Sequence, residues 1–148
     1  MTLSEQAPAS SEKAPQATSP SLSIPASPDH LGLLRAMVRA VADHHGLSMD
    51  ALADLVLAVD EAATTLITAA RPASTLLCSF DTVTNPSRLR VILAATTSSP
   101  VDTSTSSFGW LVLKTLVDDV VLEQTPAATT TDDRPVTITL EKALQAGR

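Results

Sequence analysis

The chain has 148 residues, enough for one domain with a modest core. Its apolar residues are nearly all Ala, Val, Leu and Ile. One Trp, two Phe and no Tyr leave an aliphatic core and almost no aromatic surface for stacking bases. A net charge of -6 works against a general nucleic-acid binder, which needs clustered Lys and Arg, and suits a basic partner protein better.

Cys78 is the single cysteine, so an intrachain disulfide and a cysteine-rich metal site are excluded. No apolar run reaches membrane-spanning length. Met1 to Pro20 has neither the basic start nor the apolar centre of a secretory signal. A cytoplasmic protein is the expectation.

Residues 1–20 are mostly Ala, Ser, Pro, Gln and Thr, too poor in apolar surface to offset the entropy of ordering. They are read as a disordered tail, with a domain over 21–142 and a short C-terminal tail over 143–148. Leu22 and Ile24 alternate with small polar residues before Pro25, which predicts a short edge strand. Ser27, Pro28 and Asp29 form a helix start. Leu31, Leu34, Met37, Val38, Val41 and Ala42 then recur at helical spacing, with Arg35 and Arg39 off the centre of the stripe. His44 and His45 fall in the last turn, and Gly46 is the expected C-cap. The two histidines are adjacent, so they cannot face one way on a helix and do not suggest a metal pair.

Ser48 caps a second helix over Ala51 to Ala70, apolar on most sides, with Leu52, Leu55, Val56, Val59, Ala63, Leu66 and Ile67 inward. Arg71-Pro72 ends it. Thr75 to Phe80 and Leu89 to Ala95 read as a hairpin around Asn85-Pro86-Ser87, with Cys78 as a small core residue. Thr96 to Ser107 lacks an apolar period and reads as a loop. Trp110 to Val117 predicts a helix, Val120 to Gln124 a strand, Thr125 to Arg134 a loop and Val136 to Leu140 a last strand. The order β-α-α-β-β-loop-α-β-β predicts an α/β (α+β) two-layer sandwich: a mixed, mostly antiparallel sheet with helices on one face.

Two segments carry a resemblance. Leu55-Val56-Leu57-Ala58-Val59-Asp60-Glu61-Ala62-Ala63-Thr64 is similar to the N-box helix of the GHKL ATPases, in the branch of bacterial anti-sigma-factor serine kinases, which has a Leu-Ala-Val-x-Glu run there. Ser107-Phe108-Gly109-Trp110 and the helix up to Val120 resemble that family's Gly-x-Gly-aromatic helix, which ends in an Asp-Asp/Glu-Val-like turn, here Asp118-Asp119-Val120. The likeness spans roughly residues 21 to 142 and implies a Bergerat-type, GHKL ATPase-like fold.

The resemblance implies a chemistry and a set of positions. Glu61 occupies the place of the general base. Thr65 stands where an Asn would hold Mg²⁺ on the ATP phosphates. Ala95 stands where an Asp would accept from adenine, with Thr97 and Ser99 in place of the following glycines and Asp102 as the next carboxylate along the chain. Ser107 replaces the first glycine of the phosphate segment, and Gly109 remains at the start of a helix, where backbone N–H groups favour anions. ATP and Mg²⁺ are thus the implied cofactors. Losing the adenine acceptor and the Mg²⁺ amide together works against tight nucleotide binding, so Glu61 reads either as a relic base or as a structural carboxylate at the helix–sheet boundary. No metal site is expected otherwise.

Arg35, by its distance from Glu61, matches a first-helix Arg with which the family contacts its sigma factor, and Arg39 has a lesser claim; the plain alternative is a solvated helix Arg. Three functions follow. The first is an anti-sigma factor that holds an alternative sigma factor of the stress or sporulation type and is countered by an anti-anti-sigma STAS-domain protein. A homodimer is implied, with no direct nucleic-acid or membrane contact. The second is an active Mg-ATP-dependent serine kinase acting on that STAS partner. The third, a stand-alone histidine-kinase-like ATPase, lacks a dimerisation and phosphotransfer helix pair.

Overall fold

The computed structural model describes residues 19–101, 107–124 and 133–144. The expected N-terminal tail up to residue 18, the centre of the loop after Thr96 with Asp102, most of the loop after Gln124, and residues 145–148 lie outside the described residues.

The elements are β1 (Ser21–Pro25), a single 3₁₀ turn (Pro28–His30), α1 (Leu31–His44), α2 (Met49–Ala69), β2 (Thr75–Val83), β3 (Arg88–Thr97), α3 (Phe108–Leu116), β4 (Asp119–Gln124) and β5 (Arg134–Ala143). The five strands form one sheet in the order β1-β2-β3-β5-β4, and every pairing is antiparallel. The two-layer α/β arrangement expected from the sequence is the architecture observed, with α2 packed on both other helices and on the sheet.

Local chemistry explains the helix ends. The Ser27 hydroxyl accepts from the Asp29 N–H at 3.3 Å, which caps the 3₁₀ turn that feeds α1. At the other end of α1, the Leu47 N–H donates to the Ala42 carbonyl and the Gly46 N–H to the Asp43 carbonyl. This is a Schellman closure, and Gly46 takes the left-handed conformation it requires, with φ of 77°. The Ser48 hydroxyl accepts from the Ala51 N–H at 3.1 Å and starts α2.

α2 is the centre of the core. Leu55 and Leu66 are fully buried on it, and Ala58, Ala62 and Ala63 are fully buried too, small enough to let neighbours approach. Leu52 and Ile67, expected to point inward, are only partly buried at the margins. Beneath them, β3 alternates strictly: Leu89, Val91, Leu93, Ala95 and Thr97 are buried, and the residues between are half-buried on the opposite face. On that opposite face Arg90 grips Asp81 through two hydrogen bonds of 2.8 Å, and Arg88 bonds Glu141 at 3.1 Å.

The strands run further than their apolar runs predict. β2 and β3 stay paired out to Val83 and Arg88, so the turn at Thr84–Ser87 is short, with Asn85 at φ of 56°. Thr96 and Thr97, expected in a loop, close β3 by pairing with Pro135 and Arg134. Threonine is β-branched and suits a strand when a partner is present. β5 runs on to Ala143 against its own propensity, because Arg88, Leu89 and Arg90 of β3 lie opposite as partners. Leu144 packs on the core, and its N–H donates to the Ser87 carbonyl at 3.0 Å.

Candidate functional site

The site lies where α2 meets the start of α3. The two helices pack together, and Glu61 in mid-α2 lies against Gly109 in the first turn of α3. A Cβ built on Gly109 would overlap the Glu61 carboxylate. The missing side chain is what allows the approach. Ser107 is the N-cap of α3, and its hydroxyl accepts from the Trp110 N–H at 3.4 Å.

A pocket of about 380 Å³ opens beside Glu61. Thr64, Thr65, Thr68, Ser99 and Ser107 line it, with Gly109 and Val101. Among the described lining residues Glu61 is the only charged one. The sequence that bridges Val101 to Ser107, Asp-Thr-Ser-Thr-Ser, contains no Lys or Arg. The Thr65 hydroxyl donates to the Glu61 backbone carbonyl at 3.0 Å, as threonines in helix interiors commonly do.

Of the residues singled out for a nucleotide, the structure therefore brings Glu61, Thr65, Ser99, Ser107 and Gly109 to one pocket. It does not bring Ala95 or Thr97 to it. Ala95 is buried on β3 opposite Val136. Thr97 is fully buried, with its hydroxyl donating to the Arg134 carbonyl at 3.4 Å. Val101 is part of the pocket wall, 5% exposed, and its backbone N–H and carbonyl both meet the Gln124 amide at 3.4 Å. An adenine amino group would find no carboxylate other than Glu61 among the described lining residues. Among the described residues no group of three or more His, Cys, Asp or Glu gathers to hold a metal. Among the described residues the lining does not reproduce the family's ligands for Mg-ATP: a threonine stands at 65 where the family has an amide, and no separate carboxylate for adenine is brought to the pocket.

The other flank of α2 faces α1. Arg35 Nε donates to Asp60 Oδ1 at 2.8 Å, with both side chains partly exposed. Arg39, one turn further along α1, is exposed and forms no ion pair among the described residues. His44 and His45 meet edge to face, with ring centroids 5.2 Å apart. Cys78 is 1% exposed, and burial pushes its thiol up to about 12, so it is protonated and inert at neutral pH.

Three residues escaped the sequence reading. Asp60 is the partner of Arg35; a carboxylate one turn after Val56 on a buried stripe signals a cation on the facing helix. Lys142 reaches from β5 to the Leu116 carbonyl at 2.7 Å and to Asp54 at 3.5 Å, capping the end of α3. Gln124 holds Val101. Asp118, already placed in the turn after α3 by the sequence, anchors it: its carboxylate accepts from the Ala143 N–H at 2.7 Å.

The sheet with three helices on one face, and the pairing of a mid-helix Glu with a helix-starting Gly, define a class. Residues 24–132 match the histidine kinase-like ATPase domain family, and the chain belongs to that family. Among its relatives is the anti-sigma-F factor RsbW of Mycobacterium tuberculosis, 41% identical over 103 residues in each of two strains, CDC 1551 / Oshkosh and ATCC 25618 / H37Rv. The match covers 67% of this chain and 58% of the relative, so the chain spans little more than half of that protein's length.

Proposed function

We propose that this protein is an anti-sigma factor: it binds an alternative sigma factor of the stress or sporulation type and withholds it from RNA polymerase. The observation that carries this reading is the 41% identity to proteins named anti-sigma-F factors, within a family match that includes α1 and α2. The sigma factor meets α1, with Arg35 as the main contact and Arg39 beside it. A STAS-domain anti-anti-sigma protein competes for the complex, and the protein works as a cytoplasmic homodimer. No helix among the described residues is long and apolar enough to cross a membrane. Co-purification from the native host tests the reading: a sigma factor is expected with the tagged chain, and its absence under several growth conditions overturns it.

One observation favours a second reading. Glu61 lines the pocket against Gly109, as a general base would in a serine kinase that phosphorylates its STAS antagonist with Mg-ATP. Thr65, Ser107 and the buried Ala95 and Thr97, which stand where the family has its nucleotide-binding residues, oppose it. Titration with labelled ATP and Mg²⁺ separates the two, and saturation at or below millimolar concentration would favour the kinase.

A further inference from the structure

We propose that Asp60 is a positioning residue for Arg35: by holding Nε from the neighbouring helix, it presets the guanidinium that the partner protein binds. This role presupposes that α1 meets the sigma factor.

The geometry is specific. Asp60 Oδ1 takes Nε at 2.8 Å, and the two terminal nitrogens of Arg35 form no hydrogen bond among the described residues. One edge of the guanidinium is thus fixed by the protein's own carboxylate, and the other remains free for a partner. A free Arg side chain has many rotamers, and ordering it on binding opposes association. A side chain already held in one rotamer avoids most of that loss. Arg39 provides the contrast on the same helix: it is exposed, has no ion pair among the described residues, and is left to its rotamers.

The pair is not accounted for by folding alone. Arg35 keeps 40% of its side-chain surface exposed and Asp60 33%. Ion pairs in such high-dielectric positions add little to stability. α1 and α2 are already joined by fully buried Leu34, Val38, Leu55 and Val59. Asp is also a weak helix former in mid-helix, so its place beside Glu61 between the apolar Leu57-Ala58-Val59 and Ala62-Ala63 calls for a reason outside local propensity.

The test is a double-mutant cycle read by affinity and by melting. The probe is the sigma factor that co-purifies with the full chain. Asp60→Asn is expected to weaken binding about tenfold in the parent and less than about twofold in the Arg35→Ala background. Asp60→Glu, which keeps the carboxylate, should recover most of the loss. Melting of Asp60→Asn should stay within about 2 °C of the parent. Equal losses in both backgrounds, or a large fall in melting temperature, would make Asp60 a packing residue and overturn the proposal. Tighter binding by Asp60→Asn would also overturn it, because Asp60 would then be competing with the partner. If Arg35→Ala binds normally, the reading of α1 as the sigma face fails. If Arg35→Ala loses affinity and Asp60→Asn does not, only the positioning role fails.

Discussion

Asp60 and Glu61 are consecutive on α2, yet they serve its two flanks differently. Asp60 faces α1 and has a cation, Arg35, at 2.8 Å. Glu61 faces α3 and lies against a glycine, beside a pocket of hydroxyls with no described cation. The α1 flank offers a charged, pre-paired group at the surface. The α3 flank offers a concave space lined by hydroxyls, with Val101 in its wall. A surface with a paired arginine and a pocket with one carboxylate and no described cation can therefore share one helix, because successive residues on a helix point about 100° apart.

The largest effect removes what the two flanks share. Leu55 is fully buried on α2. Leu55→Ala should cost about 2–5 kcal/mol through lost burial and a cavity. Chemical denaturation would show this as a lower midpoint at an unchanged slope. A loss well under 1 kcal/mol would mean that α2 is not the common support of both flanks.

Next comes the α1 flank by itself. Arg35→Ala should weaken sigma-factor binding by about 2 kcal/mol or more, as expected for a desolvated interface Arg, with little change in melting. Isothermal titration with the sigma factor measures it. Unchanged affinity would make the two flanks alike in having no partner.

The α3 flank should respond in the opposite way. Glu61→Gln keeps the size of the side chain and should leave sigma binding within about twofold of the parent, because Glu61 faces the pocket rather than α1. Incubation of the parent with a STAS-domain protein and radiolabelled Mg-ATP should give no phosphoprotein. Robust labelling by the parent that drops by about two to four orders of magnitude in Glu61→Gln would show a working general base and reverse the contrast.

The smallest effect concerns Gly109. An added methyl group meets the free end of the Glu61 side chain, which can swing aside, and alanine favours a helix over glycine by up to about 1 kcal/mol. Gly109→Ala should therefore melt within a few degrees of the parent. A loss of several kcal/mol would show that the carboxylate is rigidly clamped against α3, and that this flank is as preset as the other.

Much of this molecule was legible in its sequence because the relevant physics is local. The caps at Ser27 and Ser48, the turn at Gly46, and the apolar stripes of α1 and α2 each depend on residues within about one helical turn of one another. The resemblance around Glu61 and Gly109 was legible too, and the family match supports it. Strand lengths were less so: Thr96 and Thr97 have no apolar period, and only the presence of Pro135 and Arg134 opposite makes them strand. Side-chain partnerships were the least legible. Whether Asp60 reaches Arg35, whether Lys142 caps α3 and whether Gln124 holds Val101 depend on how helices cross and how strands register. Those are set by packing between segments far apart in the chain. The sequence alone thus determined the elements, their order and the family. Tertiary structure decided which of two adjacent carboxylates is paired with an arginine and which faces a pocket, because that choice rests on which neighbour each face of α2 meets.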